Sequence, residues 1–138
     1  MRIGILSDIH DHVWNLQAAL HWMNGAQGEQ GVEALICCGD LCSPFIVGLL
    51  AEGLPERPIH IVFGNNDGDL FRISANAAKH EQVHLHGELF EAELDGKRVA
   101  ANHYPTIALP LAHSAHYDVV CFGHNHQYEI TRRGPTLL

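Results

Sequence analysis

Seven residues able to bind a metal stand where apolar runs end. Asp8 and His10 close the run Ile3-Gly4-Ile5-Leu6, and Asp40 follows the run from Val32 to Cys38. Asn65 lies in Gly64-Asn65-Asn66-Asp67 after the run from Ile59 to Phe63. His103 follows the stretch from Lys97 to Asn102, and His124 and His126 lie in Gly123-His124-Asn125-His126 after the run from Asp118 to Phe122. In extended backbone, residues i and i+2 point to the same side, so Asp8 and His10 can reach one ion. An Asp-x-His alone is common by chance; its recurrence as metal-ligand chemistry at five strand ends is not. Two carboxylates, four imidazoles and one amide carbonyl, with no thiolate, suit borderline first-row ions better than magnesium alone. Seven donors are too many for one tetrahedral zinc and suit two ions sharing a carboxylate. Two divalent ions set against Asp8, Asp40 and a bridging hydroxide leave about +1 in the pocket, an anion trap able to clamp an in-line displacement at phosphorus.

These residues need strands that end side by side. Short, continuously apolar runs at Ile3–Leu6, Val32–Cys38, Ile59–Phe63 and Asp118–Phe122 read as buried strands. Helical spacing predicts helices over about residues 14–24, 44–52 and 69–79, and Pro105 to about His113 fits a fourth. Ser43-Pro44 predicts an N-cap followed by Pro at the first helical position. Residues 82–86 read as a short strand. Glu88–Leu94, the two-residue turn Asp95-Gly96 and Lys97–Ala101 form a hairpin. Tyr128–Thr131 reads as a last strand. Strand–helix alternation in the first half implies parallel pairing, and the hairpin adds an antiparallel element. The expected fold is α/β, two packed mixed β-sheets flanked by helices, in a single domain over residues 1–138. Ligands in such sheets bind beyond the carboxyl ends of the strands.

Composition narrows the function. The chain has 138 residues, 46% apolar and 17% charged, enough for one core and not disordered. No apolar run approaches the roughly 20 residues of a membrane span, and Met1-Arg2 leads straight into a strand, so a cytoplasmic location is expected. A formal charge of −8, from 16 acidic against 8 basic residues, disfavours duplex nucleic acid as partner. Cys37, Cys38, Cys42 and Cys121 lack zinc spacing and read as reduced, structural residues, with Cys42 set apart by lying two residues past Asp40. Twelve histidines are the compositional anomaly. His12, His21, His60, His80, His84, His86, His113 and His116 read as surface or supporting residues, with His84 and His86 facing solvent and His12 able to reach a substrate.

Asp8-Ile9-His10, Gly39-Asp40, Gly64-Asn65-Asn66-Asp67, His103 and Gly123-His124-Asn125-His126, in this order from residue 3 to about 128, resemble the calcineurin-like metallophosphoesterases, specifically their small bacterial and archaeal phosphodiesterase branch. The resemblance implies a four-layer αββα sandwich and two divalent ions (Mn, Fe, Ni or Zn, with Mn favoured). Asp8, His10 and His126 would hold the first ion, Asn65, His103 and His124 the second, and Asp40 would bridge. A hydroxide bridging the ions would attack phosphorus while His103, His124 and both ions stabilise the developing charge. The candidate catalytic residues are His103, Asn66, and Asp67, which with Gly64 would shape the loop carrying Asn65; either Asn66 or nearby backbone nitrogens would face the phosphate.

Three features depart from the family pattern. Asn66 stands where many members carry a histidine that is a candidate general acid, so good leaving groups, or leaving groups protonated by water, are favoured. Tyr104-Pro105 follows His103 where a glycine is usual, so Tyr104 would narrow the pocket or stack on a substrate base. The chain stops at Leu138 on an apolar note, which reads as a truncated C-terminal edge. The expected function is a dinuclear-metal phosphodiesterase acting on a small phosphodiester, with a homo-oligomer allowed. The alternatives are a phosphomonoesterase with the same site, although no Lys or Arg lies inside the motifs and Arg72 is the nearest candidate after the Gly64–Asp67 loop, and a non-catalytic scaffold of the same fold.

Overall fold

The structure is a computed structural model that describes every residue except Ala26, Gln27 and Glu29. Its elements run β1 (Ile3–Leu6), α1 (Val13–Met23), β2 (Ala34–Cys37), α2 (Ile46–Gly53), β3 (Ile59–Ile61), α3 (Leu70–Ala77) and β4 (Val83–Leu85). The second half runs β5 (Leu89–Leu94), β6 (Lys97–Asn102), α4 (Pro105–His113), β7 (Val119–Cys121), β8 (Arg132–Arg133) and β9 (Thr136–Leu137). The first sheet has the order β1-β2-β3-β4 and is wholly parallel; the second, β5-β6-β7-β9-β8, is mixed.

The alternation of side chains along the strands sorts the core into three layers. Leu35, Cys37, Ile59 and Ile61 face helices α1–α3 and pack with Leu16, Leu20, Ile46, Leu50 and Ile73. Ile36, Cys38 and Val62 point the other way, against Phe90, Val99, Ala101 and Cys121 of the second sheet. Ala100 and Val120 then face α4 through Ala108 and Ala112. Helices, sheet, sheet and helix make the four-layer αββα sandwich. Asp8, Asp40 and Asn65 leave the first sheet, and His103, His124 and His126 leave the second, so the site lies where the two sheets' carboxyl ends meet.

The hairpin forms as expected: Asp95 (φ 52°) and Gly96 (φ 70°) both take positive φ, as a I′ turn requires. Two expectations fail. Helix α2 starts at Ile46 with Phe45 as an N-cap that makes no side-chain bond. Ser43 is instead drawn to Asp11, its N–H donating to Oδ1 at 2.9 Å and its hydroxyl to Oδ2 at 2.6 Å. Tyr128–Thr131 forms no strand; the pairing moves to β8 and β9, and β9 sits between β7 and β8. The apolar end therefore has a packing role, because Leu138 joins the core layer under α4.

Candidate metal centre

Each ligand loop is tied to a neighbouring strand end before any side chain is considered. The Asp8 N–H donates to the Gly39 carbonyl and the His10 N–H to the Asp40 carbonyl, both at 3.0 Å, which clamps the first loop to the second. Asp67 fixes the next pair. Its Oδ2 accepts from the backbone N–H of Asp40 (3.1 Å) and of Gly64 (2.7 Å), and its Oδ1 accepts from Cys42 at 3.0 Å. The backbone N–H of His124 donates to both Asp8 oxygens, at 3.1 and 2.9 Å, joining the two sheets. Gly123 permits this approach, because a Cβ there would meet Ser7 Oγ and lie 2.5 Å from Asp8 Oδ2.

The seven side chains converge in two groups. In the first, Asp8 Oδ1 lies 3.8 Å from His10 Nε2 and 3.5 Å from His126 Nε2. In the second, Asn65 Oδ1 lies 3.1 Å from His103 Nε2 and 2.9 Å from His124 Nδ1, with the two ring nitrogens 3.3 Å apart. Asp40 Oδ2 sits between them, 3.4 Å from His10 Nε2 and 3.5 Å from His103 Nε2. Asp8, His10 and His126 form one candidate metal-holding cluster, and Asp8, Asp40 and His103 a second.

The residues fit a metal on two counts. Among the described residues, His10 Nε2 is the buried side-chain N or O atom with no hydrogen-bond partner, and it faces Asp40 at 3.4 Å and Asp8 at 3.8 Å without a hydrogen bond to either. His103 is fully buried, and its Nδ1 lies 2.7 Å from the Cys38 carbonyl. A carbonyl only accepts, so Nδ1 carries the proton and Nε2 turns a lone pair to the centre, as in a metal-ligating histidine held by a carbonyl. With His10 ligating through Nε2, its Nδ1–H points at Cys42 Sγ, 3.4 Å away. Burial first, then Asp11, Asp40 and the other nearby carboxylates push the Cys42 thiol up, so it stays protonated and supports the ring.

Burial pushes the Asp40 carboxyl up, but the Asn66 backbone and side-chain donors, with His103 and His10, outweigh it and hold it below the usual carboxylate range. Both Asn66 bonds to Asp40 are 2.8 Å long, so its side-chain amide turns to that carboxylate. The strain is also local: Asp8 (φ 54°), His10 (45°), Asp40 (57°), His124 (74°) and His126 (54°) all hold left-handed backbone. Such residues persist only where surrounding contacts over-determine them.

A family model for the calcineurin-like phosphoesterase superfamily domain matches residues 1–138. The chain belongs to this superfamily. A phosphodiesterase of Methanocaldococcus jannaschii is 30% identical over 129 residues, covering 92% of this chain and 74% of that protein. A solved archaeal phosphodiesterase superposes with a TM-score of 0.84 at 30% identity, covering 99% of this chain and 81% of that one. The E. coli phosphoesterase Yfce has a TM-score of 0.70 at 19% identity, covering 99% and 76%. Vacuolar protein sorting 29 of Cryptosporidium parvum has 0.69 at 15%, covering 98% and 70%. The last two share the fold.

Within this calcineurin-like chain, Tyr104 packs against His103 and His124 with ring centroids 5.0 and 5.3 Å apart. Sequence reasoning missed the supporting roles of Ser7, whose hydroxyl donates to the Cys38 carbonyl at 3.2 Å, and of Asp11. Both flank the Asp-x-His motif, and no spacing rule links them to their partners. The solvent-facing expectation for His86 fails. It is half-buried, its Nε2 lies 3.0 Å from His60 Nδ1, and both rings pack on Phe90.

Proposed function

We propose that the chain is a phosphodiesterase using two divalent ions, manganese favoured, on a small phosphodiester in the cytoplasm, with residues 1–138 acting as one domain. The supporting observation is that seven donors from two sheets converge, Asp40 among them, while His10 Nε2 is left without a partner. Asp8, His10 and His126 would hold one ion, Asn65, His103 and His124 the other, and Asp40 would reach both. Bound there, two divalent ions supply Lewis acidity to the phosphoryl oxygens and make a water acidic enough to serve as nucleophile near neutral pH.

The chain's own residues orient that chemistry. The Cys38 carbonyl fixes the His103 tautomer, Asn66 holds the Asp40 carboxylate in place, and Asp67 holds the loop that carries Asn65 and Asn66. Asn66 releases no proton at neutral pH, so esters whose leaving groups depart as weak bases react best. Arg72, the first basic residue after the Gly64–Asp67 loop, lies 3.9 Å from Asp69 on the surface rather than within the ligand cluster, which favours the diester over a monoester dianion. Among the described residues no helix is long and apolar enough to cross a membrane.

Reconstitution with Mn, Fe, Ni or Zn and an aryl phosphodiester is the test. Hydrolysis with two ions per chain is expected, and Asp40→Asn should lower it by about 100-fold or more, since even outer-shell changes cost about 10- to 100-fold in affinity. A chain that retains no ion and cleaves no diester refutes the proposal.

A further inference from the structure

Two cavities adjoin the Asp8–His126 pair and share Leu6, Ser7, Asp8 and His126 as a common wall. The first, about 440 Å³, opens against α1 and the loop before it, where Ile9, Leu16 and Ala19 supply apolar surface and His12 and Asn15 polar groups. The second, about 470 Å³, opens against the extended segment after β7, where Phe122, Tyr128 and Ile130 join Ile5 of β1 as apolar lining. Tyr128 and Ile130 are 92% and 65% exposed, which places bare aromatic and aliphatic surface beside a charged centre. Among the residues lining the two cavities there is no Lys or Arg, and Glu129 adds a negative charge to the second.

Different phosphate esters make different demands on such a site. A monoester has one organic arm and a dianion. A polyphosphate or nucleic-acid strand brings further phosphates, each of which needs a cation. A simple diester has one negative charge and two arms. Resting on the phosphodiesterase reading, we propose that the substrate is a small phosphodiester with a single negative charge and two uncharged, partly apolar arms, one seated in each cavity. Each cavity falls within the roughly 300–1,000 Å³ of small-ligand pockets, so an aryl or nucleoside-sized arm fits where a methyl would leave the space unfilled.

The test is steady-state kinetics of the Mn-loaded chain on three esters with one leaving group: bis(4-nitrophenyl) phosphate, methyl 4-nitrophenyl phosphate and 4-nitrophenyl phosphate. The bis ester is expected to exceed the methyl ester in kcat/KM by about tenfold or more, mostly through KM, and the monoester to be poorest. Ala19→Leu, which narrows the first cavity, should raise KM for the bis ester by about tenfold. Tyr128→Ala, which strips an aromatic wall from the second, should raise it by about two- to tenfold. Only the variant in the leaving group's cavity should also raise KM for the methyl ester. Tyr128 is so exposed that its variant keeps the test open should Ala19→Leu fail to fold. Equal kcat/KM for the bis and methyl esters, after the twofold statistical factor, overturns the inference while the phosphodiesterase reading stands. An unchanged KM for the bis ester in the folded variants does the same. No hydrolysis of any ester with any metal overturns both.

Discussion

Asp67→Asn separates a residue that takes part in the chemistry from one that holds the site. Asp67 is 8% exposed, and its two oxygens accept three backbone N–H groups, from Asp40, Gly64 and Cys42. Asparagine keeps the shape and one oxygen. With that oxygen on the Asp40 and Gly64 pair, two charge-assisted bonds fall to neutral strength, a loss of about 1 kcal/mol each. The amide NH₂ then meets the Cys42 N–H, donor against donor, for about 1–3 kcal/mol more. The sum, about 3–5 kcal/mol, lowers Tm by about 10–20 °C for a chain of this size. Because Asp40 hangs on the same bonds, the Mn concentration for half-maximal activity should rise by about tenfold or more. At saturating Mn, kcat should stay within a few-fold of the parent chain. A melting scan and an Mn titration of diester hydrolysis read both. A kcat at saturating Mn that falls by about 100-fold with an unchanged Tm would refute this, since a loss of that size belongs to a group moving protons in the reaction.

Gly123→Ala drives a methyl onto Ser7 and Asp8, at an overpacking cost of about 1–3 kcal/mol, and should weaken Mn binding along with Tm; a variant with the parent Tm and Mn titration would contradict the close approach of the two sheets. The histidine cluster under β3 and β4 predicts a pH effect on stability. Burial first, then His86 and His84, lower His60 from 6.5 to about 4. The unfolded chain therefore binds the proton more tightly, so this stability is full above pH 6.5 and is lost as pH falls toward 4. The full shift converts to about 3.4 kcal/mol, and the ring's partial exposure reduces it to about 1–2 kcal/mol. His60→Phe, which keeps the stack on Phe90, should shrink the Tm loss between pH 7 and pH 4.5 by about 3–8 °C. Equal losses in the parent chain and the variant would sink the assignment.

What sequence made legible is what short-range signals decide. An apolar run that stops at a polar residue marks a strand end, and Asp95-Gly96 marks its own turn. Five such ends, once assigned to one layered sandwich, already bring Asp8, Asp40, Asn65, His103, His124 and their partners near one another. The failures come from contacts that no window of sequence contains. Ser43 has the chemistry of an N-cap, yet the Asp11 carboxylate lies within reach across the fold and takes both its N–H and its hydroxyl. Strands β8 and β9 are two residues each, too short for a period to show, and their place is set by the β7 backbone. His86 meets His60 because β3 and β4 pair in the register His60↔His84.

The left-handed backbone of the ligand loops follows from the same division between local and long-range forces. Asp8, His10, Asp40, His124 and His126 gain nothing locally from positive φ, which costs about 1–3 kcal/mol per residue. Contacts between loops oppose that cost: the Asp67 carboxylate beneath Asp40, the Gly39 and Asp40 carbonyls beneath Asp8 and His10, and the Asp8 carboxylate on the His124 N–H. A chain selected for stability alone would relax such loops with glycine or asparagine. Keeping carboxylate and imidazole there, strained and aimed at one another, sacrifices folding stability for a site already arranged to receive ions, and that is the physical content of the link between this fold and phosphoester chemistry.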